Sequence, residues 1–448
     1  MKVGFISLGC SKNLVDTEMM IGLLKNEEFE IVNDESQAEI LIINTCGFIE
    51  SAKQEAIDTI LEMAKYKEIG NCKYLVATGC LVQRYKKDLE KLLPEVDLFI
   101  SIDEYDEFWN KIKKLIDNKN EKVETKLDYL NRVITTGNTT AYLKIAEGCS
   151  NFCTYCAIPY IRGKYISRKY EDIIKEAEQL AKKGIKEIII IAQDTTKYGI
   201  DLYGKQRLHE LIRDISKIEN IKWIRFLYAY PESITDELIN EVRNNNKVCK
   251  YFDIPIQHIS NNILKRMNRK TTGENIRNLI KKLRTEIPEV VLRTSLIVGF
   301  PGETNEEFEE LYNFIKEVQF DKLGVFMYSK EDGTPAAKFT NQVHYKTKQS
   351  RWNKIMQEQN IISTNILKKK IGKEYMALIE GISENNKYYI ARTYMDVPDM
   401  DGVIFIKNNN NCKIGDFVNC KVINVKEYDL IGEVVTIHAI WFWYNSIE

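Results

Sequence analysis

Short apolar runs, each about one strand long, alternate with helix-length amphipathic stretches through most of this chain. That alternation confines it to an α/β architecture with parallel strands. In the first 117 residues the runs are Lys2 to Ser7, Ile40 to Asn44, Lys73 to Thr78 and Val96 to Ser101; helices are predicted near Leu14 to Lys25, Ile49 to Lys65, Tyr85 to Leu92 and Glu104 to Ile116. Strands joined by helical crossovers pair in parallel, so this part reads as a doubly wound sheet. The polar stretch Asp117 to Lys126 (DNKNEKVETK) breaks the rhythm as a linker. From about Thr135 the rhythm resumes with six strands: Ala141 to Ile145, Glu187 to Ala192, Trp223 to Tyr228, Tyr251 to Ile256, Val290 to Val298 and Leu323 to Tyr328. Six such units predict a partial (β/α)6 barrel with its active site at the C-terminal ends of the strands. After a long helix near Lys348 to Lys370, short alternating runs between Asn and Gly turns predict a small antiparallel β domain. The expected units are 1–117, 135–365 and 368–436.

Three domains suit 448 residues at about 150 each. With 44% apolar and 29% charged residues, neither wholesale disorder nor a polytopic membrane protein fits. The most apolar segment, Ile437 to Tyr444, is far too short to span a bilayer. The N-terminal MKVGFISLGCSK reads as a first strand and not as a secretory signal, so a cytoplasmic setting is expected. There, ten cysteines favour metal or redox chemistry over a disulfide framework. Lys plus Arg total 64 against 65 for Asp plus Glu, so no global basic field points to nucleic acid.

The sharpest chemical signal is Cys149, Cys153 and Cys156, spaced C-x3-C-x2-C just after the first barrel strand. Thiolates this close can share one metal centre, and a loop at that strand's C-terminal end aims them into the barrel mouth. Structural zinc needs four closed ligands and no fourth lies nearby in sequence, which favours an iron–sulfur cluster with one open iron. A second set is dispersed. Cys10, Cys46 and Cys80 end FISLGC, LIINTC and LVATGC, so each sits just past the C-terminal end of a strand, where loops of a parallel sheet converge. Cys72 precedes its strand and belongs to the opposite edge; Cys249, Cys412 and Cys420 read as packing residues.

The segment EGCSNFCTYCAIPYIRG resembles the radical S-adenosylmethionine (SAM) signature. The resemblance implies that SAM chelates the open iron of a 4Fe-4S cluster and is cleaved reductively to a 5′-deoxyadenosyl radical that abstracts hydrogen from an unactivated carbon. It also gives Tyr155 a place near the adenine. With three dispersed N-terminal cysteines and a terminal β module, nearly the whole chain resembles the radical SAM methylthiotransferases. That family implies a second 4Fe-4S cluster, in the N-terminal domain, implicated in sulfur delivery, and a C-terminal TRAM module that recognises substrate.

Some methylthiotransferases modify a tRNA adenosine beside the anticodon and others an aspartate of a ribosomal protein. The stretches SLGCSKNLVDTE (Ser7 to Glu18) and NTCGFIESAKQE (Asn44 to Glu55) are most similar to the ribosomal-protein branch, RimO. From Ile371 to Glu448 there are seven Lys or Arg and eleven Asp or Glu. An acidic module suits a basic ribosomal protein better than tRNA phosphates. The implied substrate is small-subunit ribosomal protein twelve, free or in the ribosome; an electron donor such as flavodoxin or ferredoxin and a sulfur source are the other partners, with tRNA the partner under the alternative. A redox carrier without radical chemistry is a further alternative, but it leaves the barrel unexplained. SAM contacts are expected from residues just past barrel strands: Gln193, Gln257 and Gly299 in GFPGE, with Arg293 on an inward-facing strand meeting the SAM carboxylate or an acidic partner, or else held in a buried structural ion pair. His258 reads as a structural histidine.

Overall fold

The computed structural model describes residues 1–117, 125–408 and 411–435. Most of the predicted linker and the run Ile437 to Tyr444 lie outside them. The first body is a five-stranded parallel sheet of β1 (Lys2–Ser7), β2 (Glu30–Val32), β3 (Ile40–Thr45), β4 (Tyr74–Gly79) and β5 (Leu98–Ile100), in the order β2-β1-β3-β4-β5. Central β3 is buried at every position because helices cover both faces. Leu41, Ile43, Leu75 and Ala77 pack with Ala56 and Ile60 on one side. Ile40, Ile42 and Val76 pack on the other with Met20, Leu23 and Leu24 of α1 (Ser11–Asn26) and with Phe108 and Ile112. The three-residue edge strand β2 has too short an apolar signature for its sequence to announce. The helix placed at Tyr85 to Leu92 starts at Cys80 instead, with non-helical backbone at Tyr85.

The central body carries β6 (Thr140–Lys144), a two-stranded ribbon of β7 (Ala146–Glu147) and β8 (Ile166–Ser167), and then β9 (Glu187–Ile191), β10 (Trp223–Phe226), β11 (Tyr251–Asp253), β12 (Val291–Val298) and β13 (Lys322–Met327). These strands form two parallel three-stranded sheets, β10-β9-β6 and β11-β12-β13. A single bridge between Ile224 and Val248 joins them into an open (β/α)6 barrel. Its outward residues Leu143, Ile188, Ile190, Phe226 and Leu292 lie in one core with helix residues Ile173, Leu180, Leu211 and Leu283.

A closed antiparallel barrel follows, with β14 (Glu374–Ile382), β15 (Tyr388–Thr393), β16 (Ile404–Lys407), β17 (Phe417–Lys426) and β18 (Asp429–Val434) in the order β14-β15-β16-β18-β17. It seals the N-terminal ends of the parallel strands. Inward-facing Tyr142, Ile189, Trp223, Tyr251 and Val291 share a core with its Tyr375, Met395 and Val397, and Trp223 meets Phe417 edge-on at 4.8 Å between centroids. Val15 of α1 belongs to the same core, so the first domain closes the opposite end. No helix among the described residues is long and apolar enough to cross a membrane.

Candidate functional site

Three glycines bring the N-terminal cysteines together at the carboxyl edge of the first sheet. Gly9 has φ +89°, and a Cβ there would lie 2.8 Å from Cβ and 2.9 Å from Sγ of Cys46. A Cβ on Gly47 would meet Leu81 Cα at 2.6 Å, and one on Gly79, φ +96°, would meet Asn44 Oδ1 at 2.3 Å. Each loop therefore touches its neighbour through backbone, which only glycine permits. Asn13 ties them: its Nδ2 donates to the carbonyls of Leu8 (3.0 Å) and Thr45 (2.9 Å), while Asn44 Nδ2 donates to the Asn13 carbonyl (2.9 Å). The Cys80 thiol lies 3.5 Å from Asn13 Oδ1.

The second triplet grows from the loop after β6. Gly148, φ +72°, lets the loop pass against Lys164, and Cys149 N donates to the Gly163 carbonyl at 3.1 Å. Thr154 anchors the middle by donating from N to the Met267 carbonyl (3.1 Å) and from Oγ1 to that of Arg266 (2.8 Å). The two triplets meet across the domain junction: Cys80 packs with Ala157, the residue after Cys156, and with Ile161.

The electrostatics suit metal ligation. Burial raises the pKa of Cys80 to about 11 against the pull of Arg162, and it raises Cys149 to about 11. Burial also raises Cys156, with the Cys153 charge adding to it, and raises Cys46. Cys10 differs: burial pushes it up, but Lys12 and Arg162 and the backbone N–H groups of Asn13 and Lys12 together bring it below the usual thiol range. Its surface is nonetheless open, so it lines a cleft enclosed by protein. Each triplet is mutually close enough for charge on one sulfur to oppose charge on another. Positive iron replaces the protons in such a set and removes that conflict. Among the described residues no three His, Cys, Asp or Glu side chains are close enough to share a single metal ion. A four-iron cube takes one thiolate per iron, so its ligands stand farther apart than those around one ion, and both triplets fit that arrangement better.

Buried ion pairs fix the junction between the thiol sets. From α1, Asp16 accepts from Lys144 and from Arg162 Nη1 (2.7 Å), and Glu18 accepts from Arg132. Arg162 also donates to Asn13 Oδ1 and reaches Cys80 Sγ at 3.5 Å. Glu147 completes the group, accepting from Lys144 (2.9 Å), Arg162 (3.1 Å) and Gln193 Nε2 (2.8 Å).

The expected SAM contacts divide. Gln193 stands beside Glu147 with its Oε1 buried and unpaired. Tyr155 packs against the cluster of Met267, Phe300 and Tyr328, and its hydroxyl is held protonated by burial and by neighbouring Cys153. Gln257 has φ +68° and bridges to β12, its N donating to the Ser295 carbonyl at 2.9 Å. At Gly299 a Cβ would meet Lys348 Cγ at 2.3 Å, so packing against that lysine accounts for the glycine. Arg293 lies near the start of β12, paired with Asp253 (3.0 Å) and facing Asp401 of the terminal barrel (3.7 Å), an internal ion pair. Five residues of strand, about 17 Å, separate it from the C-terminal end of β12. Its acidic partner is internal.

The cation at the thiols is Arg269, which the sequence gave no reason to single out. Its guanidinium lies 4.3 Å over the Tyr230 ring, close to Cys153 and Tyr155; Nη2 donates to the Pro255 carbonyl (3.1 Å) and faces Glu232 (3.6 Å), while Nε and Nη1 are buried and unpaired. Buried donors without acceptors are costly and mark a place for an anion. Buried His258 accepts from Ser260 N at 3.0 Å and faces Glu303 at 3.6 Å, as a structural histidine would.

The net charge of the terminal module also needs revision. Glu380 pairs with Arg392, Asp396 with Lys322, and Asp401 with Tyr251 and Arg293. Three of its eleven carboxylates thus face inward, and the acidity open to a partner is smaller than the composition suggests.

Comparison with known proteins gives three family matches: the radical SAM superfamily over residues 143–315, uncharacterized protein family UPF0004 over 2–101, and the TRAM domain over 371–435. The ribosomal protein uS12 methylthiotransferase RimO of Alkaliphilus oremlandii is 63% identical over 437 residues, covering 97% of this chain and 99% of the relative. Proteins of the same name from Clostridium botulinum and Acetivibrio thermocellus are 56% and 53% identical, each over 97% of this chain and 98% of the relative. Among solved structures, the radical S-adenosylmethionine methyltransferase TsrM from Kitasatospora setae matches with a TM-score of 0.57 at 13% identity, over 75% of this chain and 73% of that one. At that identity the likeness concerns the fold alone.

Proposed function

Because this chain belongs to the RimO family of radical SAM methylthiotransferases, we propose that it installs a methylthio group on the β-carbon of an aspartate in ribosomal protein uS12, in the cytoplasm. The observation that carries the reading is the approach of two thiol triplets, Cys10, Cys46 and Cys80 to Cys149, Cys153 and Cys156, across one domain junction where Cys80 packs against Ala157 and Ile161. We assign a 4Fe-4S cluster to each. With SAM, these groups supply a 5′-deoxyadenosyl radical on one side and sulfur on the other.

The residues of the chain do the rest. Cys149, Cys153 and Cys156 bind the cluster that takes SAM, leaving one iron without a protein ligand. Arg269 meets the SAM carboxylate with its two free donors, and Tyr155 and Gln193 flank the same site. Cys10, Cys46 and Cys80 hold the second cluster. Arg162 stands between the sets as a fixed positive charge against Cys80. Residues 1–117 serve sulfur delivery, 135–365 radical generation, and 368–436 substrate recognition. An electron donor such as flavodoxin or ferredoxin and a sulfur source complete the partners.

Anaerobically reconstituted protein given dithionite and SAM should release 5′-deoxyadenosine, which a simple redox carrier would not. Mass spectrometry of uS12 from cells with and without the gene should show a methylthio group in place of hydrogen on one aspartate only when the gene is present. Loss of a methylthio nucleoside from tRNA with unchanged uS12 would transfer the activity to tRNA.

A further inference from the structure

The first turns of α1 present four polar side chains to the junction, and three have partners: Asn13 binds the loops, Asp16 holds Lys144 and Arg162, and Glu18 holds Arg132. Lys12 is the exception. It is 7% exposed, yet among the described residues no carboxylate lies within ion-pair distance; its ammonium rests 3.4 Å from the centroid of the Tyr228 ring. The Cys10 sulfur and the Tyr228 side chain are the groups that favour its charge, and no carboxylate completes the set; a buried ammonium so incompletely answered is unfavourable unless function requires it. Lys12 also stands near both thiol sets. Cys10 lies two residues before it, and Tyr228 lies two residues before Tyr230, which neighbours Cys153 and Cys149. The ammonium therefore sits between the sulfur side and the radical side. The carboxylate of SAM has its own buried cation in Arg269.

We propose that Lys12 is a specificity-determining residue that receives the carboxylate of the substrate aspartate, held between the Tyr228 ring and the Cys10 loop. This rests on the function proposed above. The carboxylate is bonded directly to the β-carbon, so gripping it fixes that carbon between the thiol sets, a positioning role of the kind that lowers reaction barriers. Tyr228 keeps the empty ammonium desolvated and aimed through cation–π contact. Substrate binding then adds the carboxylate that the Cys10 sulfur and the Tyr228 ring do not provide. A residue type bearing no carboxylate would leave Lys12 buried and unpaired, which penalises the wrong substrate.

The test measures binding of purified uS12, and of uS12 with Asn in place of the target aspartate, to reconstituted enzyme under anaerobic conditions. Wild-type enzyme should prefer Asp over Asn by about ten- to a hundred-fold, the range of a charge-assisted contact. In Lys12→Met, which keeps the apolar stem, the preference should fall to within about two-fold, and Lys12→Arg should retain most of it. Lys12→Gln serves if the Met variant loses iron or helical signal. A retained preference in K12M, an equal loss for both forms of uS12, or no preference in wild type would each overturn the assignment. SAM affinity, read from the change it makes in the electron paramagnetic resonance of the reduced cluster, separates the two carboxylates. If K12M weakens SAM and leaves the Asp preference intact, Lys12 serves SAM and the proposal is wrong. Wild-type enzyme that neither binds nor modifies uS12 would overturn the function and this assignment together, whereas modification with an intact preference in K12M overturns this assignment alone.

Discussion

The parallel barrel is closed at both ends by another domain, and the two closures are built differently. Below, at the starts of the strands, Glu187 is held by Arg225 (3.0 Å) and Arg392 (2.5 Å), Glu380 also grips Arg392, and Lys322 pairs with Asp396, all beside the Trp223–Phe417 contact. These charges are matched and the apolar core runs through them. Above, at the strand ends, comparable pairs between Asp16, Glu147, Lys144 and Arg162 surround groups that are only partly answered: the open thiol of Cys10, the ammonium of Lys12 with no carboxylate beside it, and two donors of Arg269 without acceptors. Below, each buried carboxylate meets a cation and a single guanidinium nitrogen, Arg225 Nη2, lacks an acceptor; such a junction holds a molecule together. One with unanswered groups receives something.

Removing a ligand from the upper junction gives the largest expected effect. Cys80→Ala should abolish methylthio product and roughly halve the iron bound, while 5′-deoxyadenosine release persists; Cys153→Ala should abolish both. Iron assay and product analysis on the two variants separate the roles, and equal behaviour would erase the division between the thiol sets.

Next comes the lower junction. Arg392→Met strands Glu380 and leaves Glu187 to Arg225 alone, a loss of about 3–5 kcal/mol for a broken buried pair. Urea denaturation followed by Trp223 fluorescence should show it, with iron content unchanged. An effect below about 1 kcal/mol would mean the seal is apolar and not ionic.

Acid probes the same seal more gently. Burial pushes the Glu187 carboxyl up, but Arg392 and Arg225 more than reverse this, so its folded pKa is depressed. Its contribution is therefore present above the unfolded carboxyl value of about 4.3 and is lost as pH falls through the lower folded value. Glu187→Gln should flatten that part of the acid-denaturation curve. The smallest effect is expected at the rim, where half-exposed Lys373 meets Glu289 at 2.5 Å. Lys373→Ala should change stability by less than about 0.5 kcal/mol.

Much of this was legible in the sequence because strands, crossovers and thiols announce themselves locally. The runs ending in Cys10, Cys46 and Cys80 could be placed on one sheet edge from strand polarity alone. Partner choice was not local. Alternation along β12 turned Arg293 inward but could not say that its partner enters from the opposite end, carried by Asp401 more than a hundred residues later. The same blindness made Asp396 and Glu380 look like surface charge. Arg162 closes the signature segment without a role there and Arg269 has no motif of its own; only docking shows that one reaches Cys80 and that the other keeps two donors without acceptors near Cys153. Lys12, inside SLGCSKNLVDTE, was visible as a letter and invisible as an orphan, because orphanhood is known only once its neighbours are paired.

Helix α1 works like a key cut for one lock, with Lys12, Asn13, Asp16 and Glu18 as its teeth. A helix advances about 100° per residue, so inserting one residue after Asn13 would turn Asp16 and Glu18 away from their barrel cations while Cys10 and Lys12 kept their places. The chain could still make each domain, but they would no longer mate in register. The length of this segment, as much as its chemistry, is what the molecule can least tolerate changing.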